Sequence, residues 1–179
     1  MPNASIYQKE LEIKLKRYFN EVDNERSVVK GAQDILQRDT LRYAPRLDLV
    51  IGPYNLKIDN QWKSNQEIKA DLYRFKSRET QSFFDAISEL KMNPNPRYAV
   101  AIEIVFSGSS KHILGDITNA STLGLYGFVI AREGMLQKAQ RILKHLQTLK
   151  KIGKIEQAMF NNVKVVSTAE FDDYFSSEN

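Results

Sequence analysis

RYAVAIEIVF, residues 97–106, is the most hydrophobic stretch of the chain, and a single acid, Glu103, interrupts it. The run is too continuous for a half-exposed strand and reads as a central strand covered on both faces. SGSS at 107–110 supplies turn and N-cap residues, after which Ile113, Leu114, Ile117 and Ala120 mark the inner stripe of a helix ending near Gly124. YGFVIA at 126–131 is a further buried strand. Met135, Ala139, Ile142, Leu146 and Leu149 then follow helical spacing and form the inner face of a long helix. Residues 163–166 give a last short strand, and Ser167 can cap a terminal helical turn through Phe171 and Tyr174. Strand, helix, strand, helix, strand in this order predicts right-handed parallel crossovers in an α/β sheet.

Upstream, RLDLVI at 46–51 is a second buried strand, again interrupted by one acid, Asp48, and stopped by Gly52 and Pro53. Between the two strands, Ile68, Leu72, Phe75, Phe83, Ile87 and Leu90 keep helical spacing with a gap near Glu79. One bent helix or two short ones are expected there, ended by Pro94 and Pro96. Tyr7, Leu11, Leu15 and Tyr18 form the stripe of an amphipathic N-terminal helix. The stretch 22–42 is polar and weakly periodic, and its reading stays open between helix and loop.

At 179 residues and 42% hydrophobic, the chain can bury one substantial core, and no linker divides it, so residues 1–179 read as a single domain. Without cysteine, it has no disulfide framework, thiolate zinc site or nucleophilic thiol. Residues 1–10 lack an apolar signal-peptide core, and no apolar run approaches the roughly 20 residues that span a bilayer. A cytoplasmic protein with no membrane partner is the expectation. The formal charge of +4 is localised: Arg132, Lys138, Arg141, Lys144, Lys150, Lys151 and Lys154 face only Glu133, whereas Glu170, Asp172, Asp173 and Glu178 follow later. Such a run is either a solvated helix face or a surface that tracks phosphates.

An ionised carboxylate inside an apolar strand is costly unless hydrogen bonds, a counter-charge or a metal compensate it. Asp48 and Glu103 therefore each call for a partner. If their strands are neighbours, the two acids converge as oxygen ligands suited to Mg²⁺ or Mn²⁺. The structural alternative is a pair of acids capping backbone amides or bridging to Arg46 or Arg97. Directly after the second acid, Ser109, Ser110, Lys111 and His112 crowd a helix start, where free amides and the dipole favour anions. Lys111, Gly115 and Asn119 follow one line of that helix, and His112 and Asp116 the adjacent one. Gly115 within a helix costs about 1 kcal/mol relative to alanine, which close approach of substrate or backbone would explain, and so would helix packing. His145 reads as a surface residue of the basic helix. A Walker A loop, a GxGxxG fingerprint and a GxSxG elbow are all missing, which lowers the odds of a nucleotide binder or a triad hydrolase.

RLDLVIGP, followed by AIEIVFSGSSKHILGDITNASTLGLYGFVIA, resembles the core of the PD-(D/E)XK restriction-endonuclease-like proteins over residues 46–52 and 97–131. The resemblance implies a mixed central sheet flanked by helices and a helical insertion around residues 60–92 between the two acidic motifs. It also implies Mg²⁺ or Mn²⁺ bound by Asp48 and Glu103, with hydrolysis of phosphodiester bonds in DNA. In that family a lysine two positions after the second acid helps to activate water. Val105 stands there in this chain, and Ala44 and Pro45 do not immediately precede Asp48. Some members carry the lysine on the following helix, which makes Lys111 the third catalytic candidate and His112 a weaker one. Ser109, Ser110, His112, Asn119, Lys138 and Arg141 are the candidate nucleic-acid contacts. A homodimer or a place in a larger assembly is a further family expectation. The competing expectation is a nuclease-like module without chemistry that binds nucleic acid or a protein partner.

Overall fold

The alternation of side chains along 97–106 sets the architecture. In a computed structural model that describes residues 3–27, 46–54, 63–156 and 158–176, this stretch is the third of five strands. The elements are α1 (Ala4–Leu15), β1 (Val22–Ser27), β2 (Arg46–Tyr54), α2 (Asn65–Tyr73), α3 (Gln81–Ser88), β3 (Tyr98–Val105), α4 (Ser110–Leu123), β4 (Gly124–Ala131), α5 (Glu133–Lys151), β5 (Val163–Ser167) and α6 (Thr168–Asp173). The sheet runs β1-β2-β3-β4-β5. β1, β2 and β3 pair antiparallel, and β3, β4 and β5 pair parallel, so the sheet is mixed. The parallel pairing expected from residue 97 onward is present, and the antiparallel half lies before it.

Helices cover both faces, which is why β3 and β4 carry almost no exposed residue. Val100, Ile102, Phe128 and Ile130 pack with α1, α2, α3 and α6. There Phe83 of α3 stacks on Phe175 after α6 with ring centroids 5.2 Å apart, and on Phe128 at 5.8 Å. Val105, Val129, Ala131, Val163 and Val165 pack on the opposite face with α4 and α5.

Several local expectations change. Val22–Ser27 is a strand, not helix or loop; it is polar because it lies at the sheet edge with Asn24 exposed. The rest of the 22–42 stretch, Ala44, Pro45 and the opening residues of the expected insertion lie outside the described residues. β2 does not stop at Gly52. The Gly52 N–H donates to the Glu21 carbonyl at 2.8 Å, and the strand continues to Tyr54 through a register shift. An added Cβ at Gly52 would stand 2.7 Å from the Glu21 Cβ, so a side chain here would force Glu21 to shift. The segment between the motifs is two short helices, and Ser64 opens α2 with a capping box to Glu67. Leu114 is exposed, and the inner stripe of α4 is Ile113, Ile117, Ala120 and Ser121. In α5 the buried residues are Ala139, Leu143 and Leu146, with Ile142 and Leu149 only partly covered.

A buried polar knot locks the C-terminal end of α4. Asn162 Nδ2 donates to the carbonyls of Ser121 (2.8 Å) and Gly124 (3.0 Å), and Ser121 Oγ donates to Asn162 Oδ1 at 2.9 Å. Asn93 Nδ2 donates to Thr122 O at 2.8 Å. With that end fixed, the N-terminal half of α4 holds a set position over β3. No helix among the described residues is long and apolar enough to cross a membrane.

Candidate active site

β2 and β3 pair in the register Leu49↔Ile102, Val50↔Ala101 and Ile51↔Val100. Carried one residue outward, that register sets Asp48 directly opposite Glu103. Two acids facing each other across a ladder repel, so the position is destabilising unless something compensates it. The backbone ladder gives way at this point. The Asp48 N–H donates to Glu103 Oε2 at 3.4 Å, and the Ile104 N–H donates to Asp48 Oδ2 at 2.7 Å. Each carboxylate therefore caps an amide of the other strand, as the structural alternative anticipated, and in doing so meets the other acid. Asn119 Nδ2 of α4 donates to Glu103 Oε1 at 3.1 Å, while Gln8 Nε2 of α1 donates to the Asp48 carbonyl at 2.8 Å.

Glu103 is only 4% exposed. Burial first, then the neighbouring Asp48, pushes its carboxyl up to about 9, and Asp116 adds to the rise. The hydrogen bonds from Asn119 and the Asp48 amide act the other way and do not overcome it. Asp116 rises to about 6, again through burial and Asp48, with His112 opposing. Among the described residues no lysine or arginine forms an ion pair with Glu103. Three acids thus share one partly dry place, and each disfavours the ionisation of another.

Of the residues expected from the sequence, Asp48, Glu103 and Asn119 come together. His112 joins them through its charge interaction with Asp116. Lys111 is exposed on the first turn of α4 and, among the described residues, bonds to neither Asp48 nor Glu103. Val105, in the family's lysine position, is buried against α4 and α5 and presents no polar group. Ser109 caps α4 by accepting from the His112 N–H, its Oγ lies 3.2 Å from His112 Nδ1, and Ser110 is exposed beside it. Lys138 of α5 donates to the Gly108 carbonyl at 2.9 Å, which draws the basic helix to the loop preceding α4, with Arg141 exposed farther along α5. His145 is a surface residue. An added Cβ at Gly115 would meet nothing within 4 Å, so helix packing does not account for that glycine.

Asp116, on the polar edge of α4 in the sequence, is not among the site residues expected from it, and Gln8 is not singled out at all. Asp116 had a signal: it lies four residues after His112 and three before Asn119, on the helix face that meets the acids. Gln8 had none, because its contact spans 40 positions of chain.

The donors are all oxygen, three carboxylates and a carboxamide, a hard set that suits Mg²⁺ or Mn²⁺ better than a soft metal. Among the described residues no three histidine or acidic side chains stand ready-made as a metal cluster. Asp48 Oδ2 and Glu103 Oε2 accept from amides, so the pair would have to turn from them to ligate an ion. No family model, no curated protein and no solved structure matches this chain.

Proposed function

We propose that the protein is a metal-dependent nuclease of the PD-(D/E)XK restriction-endonuclease-like kind, hydrolysing phosphodiester bonds in DNA with Asp48 and Glu103 as ligands of Mg²⁺ or Mn²⁺. The observation that carries this reading is the meeting of the two acids at the end of the β2–β3 ladder, with Glu103 buried beside further carboxylate charge and, among the described residues, paired with no lysine or arginine. A divalent ion is a partner that would compensate such a group. The mixed sheet and the helix that follows Glu103 directly are further support.

A bound ion supplies polarisation of the phosphodiester and a lowered pKa for attacking water. Glu103 would hold the ion as a carboxylate, so its raised pKa would tie metal affinity to pH. Asn119 holds Glu103 Oε1 and so orients the carboxylate. Asp116, near 6 and coupled to His112, holds or yields a proton within the same cluster around neutral pH. Lys111, exposed on the first turn of α4, would supply positive charge to phosphate oxygens. Ser109, Ser110 and Arg141, all exposed, and Lys138 beside Gly108 are the groups that would meet a DNA backbone.

The test is cleavage of plasmid and single-stranded DNA with Mg²⁺ or Mn²⁺, repeated with Asp48→Ala and Glu103→Ala. Activity that survives both substitutions removes the reading. Burial of Val105 favours a second one, a module that binds nucleic acid or a protein partner without chemistry. Salt-sensitive DNA binding that ignores divalent ions and persists in both variants selects it.

A further inference from the structure

We propose that the outer edge of β5 and the flank of α5 above it form a docking groove for an acidic, extended peptide segment of a partner protein, which adds to the sheet as a further strand. The groove does not depend on the reading of Asp48 and Glu103.

β5 ends the sheet, and among the described residues no strand pairs with it on the side away from β4. The register fixes which of its groups face outward. The Gly127 N–H donates to the Asn162 carbonyl at 2.7 Å, so Asn162 turns that carbonyl to β4. Backbone groups change sides residue by residue along a strand, and those of Lys164 and Val166 therefore also serve β4. The N–H and C=O of Val163 and Val165 point the other way, and no other described residue bonds them. Val163 and Val165 are only 3% and 6% exposed. Backbone groups in so dry a strip are nearly always paired, and an added strand pairs all of them at once.

There is room for that strand. α5 packs on the face of β5 that carries Val163 and Val165. Gln140, Lys144, Gln147 and Lys151, four, three and four residues apart, lie on one stripe of α5, and between this stripe and the strand edge runs a groove of about 500 Å³ with Leu143 in its wall. Edge strands are commonly guarded by a charge of their own or by an element that covers them. The single charge of β5, Lys164, points to the opposite face, where its Nζ meets Glu170 at 3.5 Å and the Tyr174 hydroxyl at 3.2 Å.

Charge selects the occupant. Lys144 and Lys151 are exposed and form no ion pair among the described residues, and no acid lines the groove. The two lysines are ~10 Å apart along the helix and alternate residues of a strand ~7 Å, so glutamates at every second position bring a carboxylate within reach of each long side chain. A second copy pairing edge to edge would set the lysine stripes of two α5 helices beside each other, where like charges repel. A nucleic-acid backbone has no N–H donors to continue the ladder.

Fluorescence anisotropy of a labelled heptapeptide of alternating glutamate and valine, added to the full chain at low salt, tests the groove. The peptide binds with Kd of about 10–500 µM, and its lysine–valine counterpart does not bind. Two further peptides carry N-methyl groups on one or the other alternate set of amides. An added strand bonds β5 through one set alone, so methylation of that set lowers affinity roughly tenfold or more and methylation of the other is tolerated, whereas plain charge attraction ignores both. The double variant Lys144→Glu, Lys151→Glu changes two exposed helix positions and lowers affinity roughly tenfold while the melting temperature holds. The proposal is overturned if no acidic peptide binds at millimolar concentration, if the two methylated peptides bind alike, if a single-stranded DNA oligonucleotide displaces the peptide, or if dimerisation of the chain does so.

Discussion

Replacing Glu103 by Gln should stabilise this protein, and by more at high pH than at low. The folded-state carboxyl sits near 9 against an ordinary value of 4.5, so between those values the folded chain binds more protons than the unfolded one. Stability from this group is therefore complete below 4.5 and is lost as pH rises toward 9. Each unit is worth ~1.4 kcal/mol, which makes the loss between pH 6 and pH 8 up to ~3 kcal/mol. Starting at pH 6 leaves out most of the Asp116 contribution, since that group rises only to about 6. A carboxamide has no charge to desolvate. Its oxygen can accept from the Asp48 N–H, and its NH₂ can donate to Asn119 once that side chain turns over. Urea denaturation followed by circular dichroism, with a chelator present, should show the advantage of Glu103→Gln growing by up to ~3 kcal/mol from pH 6 to pH 8, or about 8 °C in Tm for a domain of this size. An equal difference at both pH values would mean that Glu103 is already ionised and satisfied, and the case for a missing cation would fall with it.

Titration calorimetry with Mn²⁺ at pH 7, in two buffers of unlike protonation enthalpy, should report about one proton released per ion bound, and heats that do not depend on the buffer would contradict the raised Glu103 value. Gly115→Ala should raise stability by about 1 kcal/mol, because its Cβ enters open space, yet lower DNA affinity if a strand approaches that backbone; gel-shift and melting measurements separate the two effects. Asn162→Ala removes the acceptor of Ser121 Oγ and one of two amide donors to the Ser121 and Gly124 carbonyls, Asn93 Nδ2 being the other, and should cost about 2 kcal/mol in chemical denaturation, while a loss under 1 kcal/mol would show that Asn93 alone holds this end of α4.

Local chemistry made much of this molecule readable. Unbroken apolar runs marked β3 and β4, helical stripes marked α1, α4 and α5, and Ser109 and Ser167 capped the helices that follow them. Asp48 and Glu103 stood out because a charge in an apolar strand is costly wherever that strand lies. Features that depend on a partner far along the chain were less legible. VDNERS has no inward-facing periodicity strong enough to mark β1, since an edge strand beside water needs little, and Gly52 looked like a stop because its bond to Glu21 is invisible in linear order. Leu114 fell one position off the buried line of α4, a rotation that only docking on β3 and β4 sets.

The amino-acid order by itself determined which segments are strands and helices in the second half, and that two acids interrupt apolar strands and need partners, because both follow from periodicity and solvation within a few residues. Only the tertiary structure decided that β2 runs antiparallel to β3 in the register that sets Asp48 against Glu103, and that Asp116, Asn119 and Gln8 close around them. Strand direction and register arise from hydrogen bonds and packing between residues some 55 positions apart, and no local pattern carries that information.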